Sequence, residues 1–239
     1  MARVLAFVYG VICYLVFFAT FLYAIWFVWT MDQHSPASGP WQKALAIDAV
    51  VLAVFALQHS IMARQGFKRA WTKAIPHPIE RSTYVLLASL ALLLIIRLWQ
   101  PLPGVVWNLE SSVGHLILQG LFWLGWATVL VSTFLIGHFD LFGLKQVWLF
   151  LRGETYQPPA FVKPGLYKFV RHPIYMGFTL AFWSTPHMTT GHLFFAIMTL
   201  AYVLVAIQLE ERDLITFHGE EYRIYRSGVS MLVPWPSKR

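Results

Sequence analysis

Long apolar runs constrain this chain more than any other feature. Four of them are long enough to cross a bilayer once, and a fifth is longer than one crossing needs; they cover residues 4–29, 44–62, 84–99, 113–136 and 174–209. Because 58% of the residues are hydrophobic and only 12% are charged, the chain is too apolar for a soluble globular domain. The pattern predicts an all-α integral membrane protein with a bundle of about five to six transmembrane helices.

The last apolar run is too long for one crossing, which takes about 20 residues. Residues 184–191, in its middle, include Ser184, Pro186 and Gly191, and these residue types favour a turn. We therefore expect a C-terminal hairpin of two short helices, followed by a cytoplasmic helical tail.

The positions of lysine and arginine support the hairpin. Residues 100–112 and 31–42 contain neither residue type. Three other segments are basic. The first contains Arg64, Lys68, Arg69, Lys73 and Arg81, the second contains Lys145, Arg152, Lys163, Lys168 and Arg171, and the third contains Arg212, Arg223, Arg226, Lys238 and Arg239. Such residues accumulate in cytoplasmic loops, so both ends of the last run, and both chain termini, are predicted to face the cytoplasm.

The net charge of +7 is explained by this topology, and no basic surface interleaved with aromatic residues points to nucleic acid. Cys13 is the only cysteine, which excludes an internal disulfide and a multi-cysteine metal site. The first run is longer than a secretory signal and has no small-residue cleavage site, so we interpret it as a retained span.

One polar segment begins the hairpin. Pro173 suits the first turn of a helix, which places His172 near the cap position. The positive end of the helix dipole favours an anion there, and Arg171 adds a fixed charge. Tyr175 lies nearby on the same face, and Gly177 would allow a backbone or a cofactor to approach closely. Alternatively, Arg171 is an ordinary cytoplasmic basic residue and the His-Pro pair only marks a helix start.

A second polar segment ends the hairpin. Glu210 and Glu211 lie near a predicted helix C-terminus, where acidic groups are disfavoured unless a cation accompanies them. Glu220 and Glu221 can be explained as residues outside the bilayer. The two ends of the hairpin would thus offer an anion site, a cation site and aromatic side chains. S-adenosylmethionine, with its carboxylate, ammonium, sulfonium and adenine, matches this set of groups, although the match is not unique.

Two ordered motifs also resemble a known family. The family is the isoprenylcysteine carboxyl methyltransferase and phospholipid methyltransferase superfamily. The first motif is Arg171-His172-Pro173-x-Tyr175-x-Gly177, and the second is Glu210-Glu211 followed by Gly219-x-Glu221-Tyr222-x-x-Tyr225. The resemblance implies an S-adenosylmethionine-dependent enzyme whose cofactor contacts include His172, Tyr175, Gly177, Glu210 and Glu211. Tyr167 and Arg171 complete the predicted cofactor-binding set. Val229-Ser230 stands where the family usually has Val-Pro, which puts the docking of the C-terminal segment in question.

Upstream segments narrow the resemblance. Gln58–Arg64, Glu80–Tyr84 and His138–Gln146 resemble the bacterial methanethiol S-methyltransferases, which convert methanethiol to dimethyl sulfide. This subfamily resemblance implies a small volatile thiol as the acceptor and the bacterial inner membrane as the location. A thiol reacts as its thiolate, so a base near the cytoplasmic ends of the spans is expected.

Three residues are candidates for that catalytic role: His59, His138 and Asp140. The alternative is that each is a satisfied interfacial group, which is the more common state of a lone histidine at a helix end. Asp48 lies on the same face of its helix as His59 but about 16 Å deeper. Its expected role is therefore structural pairing.

Several other functions stay open. A lipid or isoprenylated acceptor, or a membrane reductase on a related scaffold, would keep the same architecture. A di-iron enzyme would need histidines at helical spacing, and His187 and His192 are five residues apart, so no metal is expected. A transporter would show two related halves, which the sequence lacks.

We expect one membrane domain, 1–239, with transmembrane helices in 1–136 and the cofactor-binding loop, hairpin and tail in 137–239.

Overall fold

The computed structural model describes residues 1–33 and 39–234, almost all of the regular structure being helical. Nine α-helices follow in chain order: α1 Ala2–Trp29, α2 Trp41–Ala63, α3 Gln65–Trp71, α4 His77–Leu98, α5 Ser112–Leu135, α6 His138–Leu141, α7 Leu144–Arg152, α8 Pro173–Trp183 and α9 Thr190–Gly228, counted over the described residues. Five of these, α1, α2, α4, α5 and α9, are long and apolar enough to cross a membrane. The prediction of an all-α integral membrane protein is confirmed.

Parts of the charge pattern used for the topology prediction lie outside the described residues. These are Lys238, Arg239 and the middle of the loop at residues 31–42. Helix α4 starts at His77 rather than at residue 84, because Pro78 suits a first helical turn and the helix continues through the polar residues ahead of the apolar run.

The chain divides into two compact units, and the prediction of a single domain stays a prediction. Unit 1 comprises Met1–Pro103 with Gly137–Pro158. In it α1 and α2 pack against α4, and α7 packs on α1. The side chain of Val147 fills the space beside Gly10, where an added Cβ would lie 2.5 Å from Cγ2 of Val147.

Unit 2 comprises Gly104–Ile136 with Pro159–Arg239 and contains the predicted hairpin. Its first arm, α8, has 11 residues, and the chain turns back after Trp183 into α9. The expectation that both arms are short is wrong for the second one, which has 39 residues. Helix α9 extends past the apolar run through polar residues and bends at Gly219, whose φ of 56° and ψ of −127° are not helical.

A small sheet, which the sequence did not predict, lies at the turn of the hairpin. Strand β1, Val105–Asn108, pairs antiparallel with β2, His187–Thr189. The indole N–H of Trp107 donates to the Thr185 carbonyl at 3.1 Å. These bonds satisfy backbone groups at the loop end of unit 2.

Helices α5 and α8 approach each other closely at two glycines. A Cβ at Gly177 would lie 2.7 Å from the Gly125 carbonyl oxygen, and one at Gly125 would lie 2.6 Å from the Ala181 nitrogen. Small residues at such crossings let helix backbones touch, which is a main source of packing energy in lipid. The backbone of α8 is therefore held directly against α5.

This contact gives a test of the packing. Replacing Gly125 with Ala should lower the thermal midpoint in detergent, at a cost of about 1–3 kcal/mol, because the methyl group meets backbone atoms that cannot move aside. Gly120→Ala, in the same helix, is the matched control, since nothing lies within 4 Å of its Cβ position. Equal midpoints for the two variants would contradict the observed packing.

Candidate active site

The turn before α8 is fixed by backbone hydrogen bonds. The N–H of Arg171 donates to the carbonyl of Ser230 at 2.8 Å, and that of His172 donates to the carbonyl of Met231 at 3.2 Å. Val170 and Ser230 also form a parallel β-bridge. The C-terminal segment, residues 229–231, is therefore docked against the start of the hairpin, despite serine at position 230.

Glu211 on α9 is the charge at the centre of the site. Its side chain is 2% exposed, and its Oε1 accepts from Nε of Arg171 at 2.7 Å and lies 3.1 Å from Nε2 of His172. Nε of Arg226 lies 2.8 Å from Oε2, without the alignment of a hydrogen bond. Three partners therefore surround this one carboxylate.

Glu210 has a different environment. Its side chain is 43% exposed, its Oε2 accepts from the hydroxyl of Tyr175 at 3.0 Å, and Nδ1 of His172 lies 3.8 Å away. Burial and the nearby Glu210 carboxylate both raise the pKa of Tyr167. That phenol is therefore a neutral hydrogen-bond donor at cellular pH.

The structure brings the two predicted motifs together. Arg171 and Glu211, both predicted cofactor contacts, bond directly to each other. Desolvating two opposite charges in one place favours their direct contact, because an unpaired buried charge is costly. Glu210 is therefore the accessible carboxylate of the pair, and Gly177 contacts the backbone of α5.

An aromatic cluster beside these residues was missed as a site. Phe161 packs against Tyr222 and Tyr225 with ring centroids 5.6 and 5.5 Å apart, and Nζ of Lys163 lies 5.3 Å from the Phe161 and Tyr225 rings. The hydroxyl of Tyr225 donates to the Tyr167 carbonyl at 2.6 Å. The Tyr222-x-x-Tyr225 spacing in the motif was the signal that could have identified the cluster.

The predicted catalytic candidates all lie in unit 1. The hydroxyl of Tyr84 lies 3.0 Å from Nε2 of His59, whose ring stacks on Phe55. His138 is buried, and its Nε2 lies 2.9 Å from the hydroxyl of Tyr14. Burial lowers the pKa of His138, so its ring is neutral at physiological pH.

Asp140 is held by several donors. Its Oδ1 accepts from Tyr156 at 2.7 Å and from Gln146 at 2.8 Å, and its Oδ2 lies 2.9 Å from Nζ of Lys145. Burial and the Asp140 carboxylate raise the pKa of Tyr156 to about 12. Three donors occupy the oxygens of the Asp140 carboxylate, and this arrangement favours a structural role for Asp140.

Asp48 is fully buried in α2 and accepts the backbone N–H of Gln100 at 2.8 Å. Gln100 follows the C-terminal end of α4, so this hydrogen bond links α2 to α4. The hydrogen bond is structural, as expected for Asp48, while its Oδ2 has no hydrogen-bond partner among the described residues.

Comparison with known proteins identifies the class. Residues 140–216 match the isoprenylcysteine carboxyl methyltransferase (ICMT) family. No solved structure matches the chain. Together with the membrane helices and the joined motifs, this match identifies an integral membrane methyltransferase.

Full-length relatives narrow the class. A protein named methanethiol S-methyltransferase from Mycobacterium tuberculosis (strain ATCC 25618 / H37Rv) is 54% identical over 100% of this chain and 99% of its own length. A protein with the same name from Crocosphaera subtropica (strain ATCC 51142 / BH68) is 49% identical over 100% of this chain and 95% of its own length. Nurim from Xenopus laevis is 29% identical over 72% of this chain and 63% of its own length. The chain belongs to the methanethiol S-methyltransferase family.

The two glutamates should differ in their effect on stability. Glu211→Gln leaves Arg171 and Arg226 without their buried counter-charge, at a cost of about 3–5 kcal/mol. Glu210→Gln changes a partly exposed group and should cost less than about 1 kcal/mol. Thermal unfolding of both variants in the same detergent checks this. A larger loss for Glu210→Gln would contradict the assignment of Glu211 as the buried charge.

Proposed function

We propose that this chain transfers a methyl group from S-adenosylmethionine to methanethiol, giving dimethyl sulfide, at the cytoplasmic face of the bacterial inner membrane. The main support is the pairing of Glu210 with Tyr175 and His172 at the open end of the hairpin. An accessible carboxylate is held there by two groups, beside an aromatic cluster. The names of the full-length relatives support the chemistry.

The groups at the hairpin end fit this cofactor. Glu210 is the residue suited to its ammonium group, and the N-terminal end of α8 suits its carboxylate. Tyr222 and Tyr225 are buried within the aromatic cluster, so its partly exposed member, Phe161, is the ring suited to contact an adenine. In the described part of the chain, the Tyr222 hydroxyl is buried without a hydrogen-bond partner, which leaves a polar atom available to a ligand.

When bound, S-adenosylmethionine would supply a methyl group on a positively charged sulfonium: a thiolate would attack the methyl carbon in line as the methyl–sulfur bond breaks, with S-adenosylhomocysteine leaving as a neutral thioether. The chain must then fix orientation and exclude water. The hydroxyl of Tyr175 orients Glu210 through a hydrogen bond, and Nδ1 of His172 lies 3.8 Å from the same oxygen. The apolar helices of the bundle supply the dry surroundings.

A base must remove the thiol proton. We assign this role to His138, because its lowered pKa keeps the imidazole neutral and able to accept a proton. His59 is the second candidate, with Tyr84 holding its ring. Asp140 lies in α6 with His138, and its bonds to Lys145 and Gln146 hold α6 against α7.

A lipid or isoprenylated acceptor is the other candidate. It is favoured by the family whose model matches residues 140–216, since that family is named for an isoprenylated cysteine.

The cytoplasmic orientation rests on the segregation of lysine and arginine into three segments.

One assay separates the two acceptors. Membranes containing the chain are incubated with methyl-labelled S-adenosylmethionine and either methanethiol or a lipid extract. Volatile labelled dimethyl sulfide is the expected product. Label that stays in the lipid fraction in both incubations would contradict a thiol acceptor.

Cofactor binding tests the role of the hairpin end. Glu210→Gln and His172→Ala should abolish binding of S-adenosylmethionine, measured by calorimetry, while the protein stays folded in detergent. Glu220→Gln, at a carboxylate 71% exposed on the same helix, is the control and should bind normally. Wild-type affinity in both site variants would rule out this cofactor site.

The proposed base gives a pH prediction. Because burial lowers the pKa of His138, the rate should fall with acid where the ring protonates, and the midpoint of that fall should lie below the ordinary histidine value of about 6.5. His138→Gln should lower kcat by about 10²–10⁴-fold with unchanged cofactor affinity. A normal kcat in His138→Gln, with a large loss in His59→Gln, would move the role to His59.

A further inference from the structure

Arg226 lies outside the two motifs that define the family resemblance, yet it contacts the buried charge of the site. Its Nε is 2.8 Å from Oε2 of Glu211, and its own carbonyl accepts from Nη1 of Arg171 at 3.0 Å. Arg226 therefore touches both members of the Arg171–Glu211 pair. We name these three residues, Arg171, Glu211 and Arg226, the arginine clasp.

The clasp joins three parts of unit 2. Arg171 precedes α8, Glu211 lies within α9, and Arg226 lies beyond the bend at Gly219. Arg171 also donates through Nη1 to the carbonyl of Val229, which caps the C-terminal end of α9. A cation at a helix C-terminus is favoured by the helix dipole as well as by these bonds.

The clasp also determines where His172 lies. Oε1 of Glu211 is shared by Arg171 and His172, so the position of the carboxylate sets the position of the imidazole. Nε of Arg226, whose side chain is 45% exposed, lies 2.8 Å from the other oxygen as an ion pair without the alignment of a hydrogen bond. Residues 229–231, which follow directly, accept the backbone N–H groups of Arg171 and His172.

We propose that Arg226 is a positioning residue for the methyl-donor site, acting through Glu211 to hold His172 in place and to keep residues 229–231 docked on the start of the hairpin. The catalytic part of this inference rests on the proposed function. Arg226 itself has no contact with the accessible carboxylate Glu210 in the interactions described above. Its effect on cofactor binding should therefore pass entirely through Glu211.

Docking of the C-terminal segment can be measured without the cofactor. Ser230→Cys places a thiol in the β-bridge with Val170, and the one native cysteine, Cys13, is fully buried. In the full-length chain in detergent, adding Arg226→Ala should raise the rate of maleimide labelling at position 230 about tenfold or more, since the segment opens more often. Arg223→Ala is the matched control, because Arg223 and its partner Glu220 are 59% and 71% exposed.

Cofactor binding tests the coupling to the site. Arg226→Ala should weaken S-adenosylmethionine binding about tenfold, Arg226→Lys should regain most of the affinity, and Arg223→Ala should bind as the wild type does. The loss should appear in the KM for the cofactor more than in kcat. In a Glu211→Gln background, Arg226→Ala should cause no further loss.

The outcomes separate this inference from the proposed function. Unchanged labelling and unchanged affinity in Arg226→Ala would overturn it. If Arg226→Ala lowers the cofactor affinity equally with and without Glu211→Gln, its effect does not pass through Glu211. If the Glu211→Gln variant does not fold, failure of Arg226→Lys to recover binding would overturn that route. If the wild type binds no S-adenosylmethionine, the proposed function fails, and the labelling rates alone decide whether Arg226 docks the segment.

Discussion

The architecture of unit 2 depends on one buried carboxylate. Glu211 is 2% exposed and bonded to Arg171 and His172, residues about forty positions earlier in the chain. A charge buried this deeply is tolerated only when it is paired and hydrogen-bonded. The hairpin must therefore close so that its two ends meet, and any arrangement that separated them would leave charges on both sides without partners.

The bilayer explains why the polar chemistry gathers at one end of the hairpin. Along its apolar part the hairpin is held by close packing, with Gly177 against the backbone of Gly125. Charged residues are costly in that region, so they occur where the helices leave it. Glu211 then serves the structure, while its neighbour Glu210 keeps a partly exposed carboxylate held by Tyr175. Two adjacent residues of one type thus have separate roles because one is buried and the other is not.

Sequence reasoning predicted the hairpin and the meeting of its ends, because run length, turn residues and charge placement all gave the same answer. It did not predict that Arg171 would bond to Glu211, since both residues could also have bound a ligand, and only their burial decides between these choices. Arg226 looked like one of several basic tail residues, and its role depends on the bend at Gly219. The β1–β2 pairing joins strands far apart in sequence, and short strands of this kind carry little periodic signal.

Crosslinking of the cofactor tests the central claim, that the end of the hairpin is the methyl-donor site, most directly. The purified chain is irradiated with radiolabelled S-adenosylmethionine, with and without excess S-adenosylhomocysteine, and the labelled peptides are mapped by mass spectrometry. The account predicts competed label in peptides containing residues 161–177 or 207–231. Competed label confined to residues before Gly104 would contradict it.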